Sequence, residues 1–133
     1  MTDQTPQFVR YRARIPNARG VKVGIFALAN GLAQNGRLAV EDEAWLREAN
    51  DWYNRAYPNP SDVDPGVYDR VVNPGAVSWF KVGASDALIE RLADYVRLLD
   101  AHSVEWERVV TARPGRIVYE DEVQVQDRPD DTP

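Results

Sequence analysis

Cysteine is absent from this chain of 133 residues. Its absence removes disulfides, thiol nucleophiles and thiolate metal sites together, and a reducing, cytoplasmic location is the expectation. Histidine occurs once, as His102. General-base chemistry and zinc binding both favour histidine, so no zinc site is expected from one His and no Cys. At a helix end His102 is expected to satisfy carbonyl groups. No apolar run approaches the ~20 residues that a bilayer-spanning helix needs. Met1–Gln7 is polar and holds Asp3, so neither a membrane span nor a secretion signal is expected. Lysine is scarce as well: Lys22 and Lys81 stand among 16 basic residues, the rest being arginine, which favours planar, bidentate pairing with carboxylates. Internal repeats are missing.

What is present fits one soluble domain over 1–133, with frayed tails at 1–7 and 127–133. The net charge of −5 is unevenly spread: residues 1–40 carry +5 and residues 41–133 carry −10. The acidic whole argues against nonspecific nucleic-acid binding, which depends on neutralising phosphates. The basic N-terminal part suits one small anionic ligand.

Phe8–Ile15 reads as a strand, with Arg10, Arg12 and Arg14 on one face and Val9, Tyr11, Ala13 and Ile15 on the other. Asn17 is placed to cap a helix over Ala18–Gln34, in which Val21, Ile25, Leu28 and Leu32 form an apolar stripe. Asn35-Gly36 stops it. A second helix covers Val40–Tyr57, with three acids in its first turn, where the helix dipole favours anions. Its stripe is Trp45, Ala49, Trp52 and Ala56, with Leu46 and Tyr53 beside it. Pro58 ends it. The stretch 58–75, rich in Pro and Gly, reads as an ordered loop anchored by Val63, Val67, Tyr68, Val71 and Val72. After a strand over Val77–Val82, Ser85 caps a third helix with a stripe of Leu88, Leu92, Tyr95 and Leu99. Val104–Val110 and Arg116–Gln126 then read as a hairpin turned at Pro114-Gly115. The order β-α-α-β-α-β-β predicts an α+β domain, with a three- or four-stranded, mainly antiparallel sheet and helices packed on one face.

The hairpin register places Val104 opposite Val125, Trp106 opposite Val123 and Val110 opposite Tyr119, all sound apolar pairs. It also opposes Glu107 to Glu122, which is unfavourable, and lines one face with Glu105, Glu107, Glu120 and Glu122. Arg10, Arg12 and Arg14 on a neighbouring strand reverse that sign. The first strand is therefore expected beside the last one, or else beside the one before it. In the same register Arg108 meets Asp121, as a structural ion pair or as the edge of a pocket walled by Trp106, Tyr119 or Trp79.

Other candidates are less specific. Pro16–Gly24 joins a strand to a helix but matches neither the dinucleotide nor the P-loop spacing. Asp62, Asp64 and Asp69 invite a calcium reading, yet Gly66 falls one place early and Asn73 stands where a glutamate should close the loop. Turn formation explains these aspartates better. No metal and no cofactor are expected. Trp45, Trp52, Tyr53 and Tyr57 cluster on the second helix, with Tyr68 and Trp79 soon after. Core filling is one account; the other is a docking surface, since Trp and Tyr dominate binding hot spots. The corner where Tyr53 and Tyr57 lead into the Pro-rich loop is the preferred interaction site.

Three stretches resemble those of an uncharacterised family of small bacterial proteins: Gly24-Ile25-Phe26-Ala27-Leu28-Ala29-Asn30-Gly31-Leu32, Trp52-Tyr53-Asn54-Arg55-Ala56-Tyr57-Pro58 and Tyr119-Glu120-Asp121-Glu122-Val123-Gln124-Val125. That resemblance implies no activity. A second likeness is to ADP-ribosyltransferases, which place an Arg on an early strand, a Ser on a middle one and a Glu-x-Glu on a later one. Arg12, Ser78 and Glu120-Asp121-Glu122 fall in that order, with Ala76-Val77-Ser78-Trp79 where Ser-Thr-Ser is usual.

The expected function is that of a non-enzymatic, cytoplasmic binding or regulatory domain acting through protein contacts, with a protein partner or by self-association as a homodimer. The binding residues are then Tyr53, Tyr57, Tyr68, Trp79, Arg10, Arg12, Arg14, Arg108 and Asp121. The alternative is an enzyme acting on an anionic or nucleotide substrate, with Arg12, Ser78, Glu120 and Glu122 as its catalytic group.

Overall fold

Apolar alternation and helical spacing resolve into nine elements among the described residues: β1 (Phe8–Ala13), α1 (Ile25–Gln34), α2 (Val40–Ala56), the single turn α3 (Pro60–Val63), β2 (Val77–Lys81), α4 (Asp86–Ala101), β3 (Trp106–Thr111), β4 (Arg116–Glu120) and β5 (Gln124–Arg128). The computed structural model describes residues 7–57, 59–63, 66 and 77–128. Tyr68, Asp64, Asp69 and most anchors of the Pro-rich loop lie outside the described residues. The class is α+β, and the sheet has five strands in the order β3-β1-β2-β5-β4, not three or four. The pairs β1–β2, β2–β5 and β4–β5 are antiparallel.

The chain divides into two compact units. One, a strand unit, takes the described residues of 1–10, 58–87 and 109–133; the other, a helical unit, takes Tyr11–Tyr57 and Leu88–Arg108. In the strand unit Phe8, Trp79 and Val125 form a buried cluster, with Val77 and Val109 packed against it. Trp79 opposes Val125 across the β2–β5 pair, as the period of two requires. Polar groups are buried there too, and each is bonded. The indole N–H of Trp79 donates to Asp127 Oδ1 at 2.8 Å, and the Gly115 N–H donates to Asp127 Oδ2 at 2.7 Å. Gln126 Nε2 donates to the Ser78 hydroxyl opposite it. Asp127, expected in a frayed tail, is 4% exposed.

The expected hairpin does not form. β3 and β4 occupy opposite edges of the sheet, so Arg108 does not face Asp121 across a ladder. The turn lies instead between β4 and β5. The Asp121 carboxylate accepts from the backbone N–H groups of Val123 and Gln124 through Oδ1, and from the Tyr119 hydroxyl and Gln124 Nε2 through Oδ2. A short side chain that satisfies two amides beyond itself makes a turn, not a strand. Burial pushes this carboxyl up; the bonds from Gln124, Val123 and Tyr119 outweigh it and hold it below its ordinary value of 3.8.

In the helical unit, α1 starts at Ile25 rather than Ala18. Asn17 spends its carboxamide oxygen on the N–H groups of Arg19 and Val21, and Gly20 takes φ +77°, so the chain turns back on itself. Ala13 N–H then meets Val23 O at 2.7 Å. The stop at Gly36 is left-handed, with φ +68°. The stripe expected for α4 is buried throughout: Leu88, Leu92, Tyr95 and Leu99. Ser85 does not cap α4 through its hydroxyl, which donates to Lys81 O. The three helices of this unit share one polar relay: Tyr95 donates to Asn50 Oδ1 at 2.6 Å, and Asn50 donates to Asn30 Oδ1 at 2.8 Å.

Candidate functional site

On α2, residues 45, 48, 49, 52 and 55 recur at the spacings that share one helix face. The face predicted to enter the core does not. Leu46 and Tyr53 are the buried residues of α2, while Trp45 and Trp52 are half-buried. They line a groove of about 450 Å³ between α2 and α4, whose far side is Arg91, Asp94 and Tyr95.

The groove floor is buried and hydrogen-bonded. Tyr53 and Tyr95 are 4% and 1% exposed. Each ring meets the Phe26 ring edge-on, at 5.0 and 5.1 Å between centroids. The Tyr53 hydroxyl donates to Leu88 O at 2.6 Å. Burial pushes both phenols above their ordinary value of 10.0; neighbouring tyrosines add to this, and for Tyr53 the Arg91 charge works against it. Both hydroxyls are therefore protonated donors, already in use. Trp45 stands edge-on to Tyr95 at 5.3 Å. The Arg91 guanidinium lies 3.7 Å from the Trp52 ring centroid, a cation–π contact. Asp94 is paired with Arg97 at 2.7 Å. Glu48 and Asp51 are exposed on the groove wall and have no ionic partner among the described residues. The lining thus combines ring faces with the carboxylates of Glu48, Asp51 and Asp94 and the guanidinium groups of Arg55 and Arg91.

The residues singled out from sequence fall in several places. Tyr53 is buried in the core and forms part of the groove floor. Tyr57 is half-buried and edge-on to Tyr53 at 6.3 Å. Trp79 is a core residue of the strand unit, bonded to Asp127. Arg10 Nη1 donates to Ser78 O at 3.2 Å. The charge reversal is partly as inferred: Arg12 Nε meets Glu107 Oε2 at 2.7 Å, and Lys22 joins at 3.5 Å. The Arg12 bond holds the Glu107 carboxyl below its ordinary value against desolvation, and the Lys22 charge adds to the lowering. β1 thus neighbours β3, the second of the two expected placements. Glu120 finds Lys81 at 2.6 Å instead of an arginine of β1. Arg14, Arg108 and Glu122 are exposed. Of the group in the enzyme alternative, Arg12, Ser78 and Glu120 are each bonded to another partner.

Of the groove residues, Trp45, Trp52 and Tyr53 belong to the aromatic cluster read from sequence as core or docking surface, whereas Glu48, Asp51, Arg91, Asp94 and Tyr95 were not singled out as a site. The available signal was the width of the α2 apolar arc: Trp45, Leu46, Ala49, Trp52, Tyr53 and Ala56 cover more face than one core contact uses. No helix among the described residues is long and apolar enough to cross a membrane. No protein family, curated protein or solved structure matches the chain.

Proposed function

We propose that this protein is a binding module that takes a peptide segment of a protein partner into the groove between α2 and α4, without covalent chemistry. The observation that carries the reading is the groove itself. Two half-buried indoles stand over a floor of bonded tyrosines, at a volume of about 450 Å³ that falls within the range of ligand sites. Rigid aromatic walls lose little conformational entropy on binding, which is why such residues anchor interfaces. The polar groups of the floor are spent on holding helices together, so they position rather than react. Binding at this site needs no contribution from Arg12, Ser78 or Glu120.

Selection of displayed random peptides on the immobilised chain tests this reading. Ala49 lines the groove, and Ala49→Trp fills it; exposed Glu48→Arg reverses its wall charge. The selected peptides are expected to lose binding to both variants while the melting temperature of Glu48→Arg stays unchanged. Equal binding to wild type and to both variants would overturn the proposal.

A further inference from the structure

Resting on that reading, we infer that the groove's occupant is a cationic side chain, an arginine or lysine carried by a basic segment of the partner. Two observations carry this. First, Arg91 already seats its guanidinium 3.7 Å from the Trp52 ring centroid within the groove. That indole face is thus presented in the geometry that attracts a cation. Second, Glu48 and Asp51 border the same space, exposed and without an ionic partner among the described residues, whereas Asp94 is held by Arg97. Trp45, seven residues before Trp52 and on the same helix face, supplies a second aromatic wall.

Arg91 then has a specific part. It is exposed, and it occupies the ring face that the incoming cation uses. It acts as an internal competitor, displaced when the ligand enters. A groove built for an anion has the opposite dependence, since Arg91 and Arg55 are then its contacts.

The test uses the full chain labelled with ¹⁵N and three capped pentapeptides, all glycine save a central arginine, glutamate or norleucine. The chain has four tryptophans. The indole N–H groups of Trp79 and Trp106 are bonded to Asp127 and Asp100 and serve as internal references. The arginine peptide is expected to move the indole signals of Trp45 and Trp52, leaving those of Trp79 and Trp106 in place. Glu48→Gln combined with Asp51→Asn is expected to weaken binding ~3–10-fold, and Arg91→Gln to tighten it ~2–5-fold. Weaker binding by Arg91→Gln overturns the inference. So does a stronger response to the glutamate or norleucine peptide, which leaves the groove as a site for another ligand class. Equal shifts of all four indoles mean nonspecific attraction and overturn it too. Silence of Trp45 and Trp52 with all three peptides removes both the inference and the groove reading beneath it.

Discussion

Trp79 of the strand unit and Trp52 of the helical unit are the same residue type put to opposite uses. Trp79 is 8% exposed and its indole N–H is met by a carboxylate that is itself 4% exposed. Trp52 lines a groove, with the exposed Arg91 guanidinium over its ring. The carboxylates differ in the same way. Asp127 and Asp121 are consumed by backbone and side-chain donors, while Glu48 and Asp51 face solvent unpaired among the described residues. A bonded buried polar group fixes a fold, because unmaking it leaves a desolvated partner behind. Ring faces and charges without an internal partner are what remains to recognise something else.

The comparison breaks most sharply at Tyr53. Tyr53→Ala is expected to destabilise by roughly 3–5 kcal/mol in denaturant unfolding, as buried aromatic deletions do. A neutral result would return Tyr53 to the surface. Asp127→Ala comes next, at about 3 kcal/mol, because two charge-assisted bonds vanish and the buried Trp79 and Gly115 donors lose their acceptor. Asp127→Asn is expected to recover part of that loss.

Asp121→Asn is expected to cost about 1 kcal/mol at neutral pH. It also tests the sign of the linkage. The carboxyl is held below 3.8 in the folded protein, so its contribution is complete above that pH and fades as pH falls through the lower folded value. The gap between wild type and Asp121→Asn should therefore close on acidification; a gap that widens would contradict the turn described. The smallest stability effects are expected at the groove wall. Glu48→Gln and Asp51→Asn should each change stability by less than ~0.5 kcal/mol while weakening ligand binding.

Much of this was legible in the sequence, for physical reasons that vary along the chain. The α4 stripe was readable because a buried helix face repeats at the helical period without competition. The Arg12–Glu107 pair was readable because alternating charges of opposite sign identify neighbouring strands. The hairpin was misread because Arg116–Gln126 satisfies a strand's alternation right through Asp121, and Pro114-Gly115 offers a plausible turn. What decides the matter is one carboxylate bonding amides two and three residues ahead. Asn17 misled in the same manner, as a residue equally able to cap a helix or tie a loop. On α2 the stripe of Trp45, Ala49 and Trp52 was found, but periodicity alone does not distinguish an apolar face that packs from one that lines a groove.

The central claim, that recognition belongs to the helical groove and structure-keeping to the bonded strand unit, is tested most directly by mapping backbone amide shifts as a selected peptide is titrated into the ¹⁵N-labelled chain. The account predicts that the largest shifts fall at residues 45–55 and 91–95. Shifts centred on residues 77–81 and 116–128, with the groove helices unmoved, would contradict it.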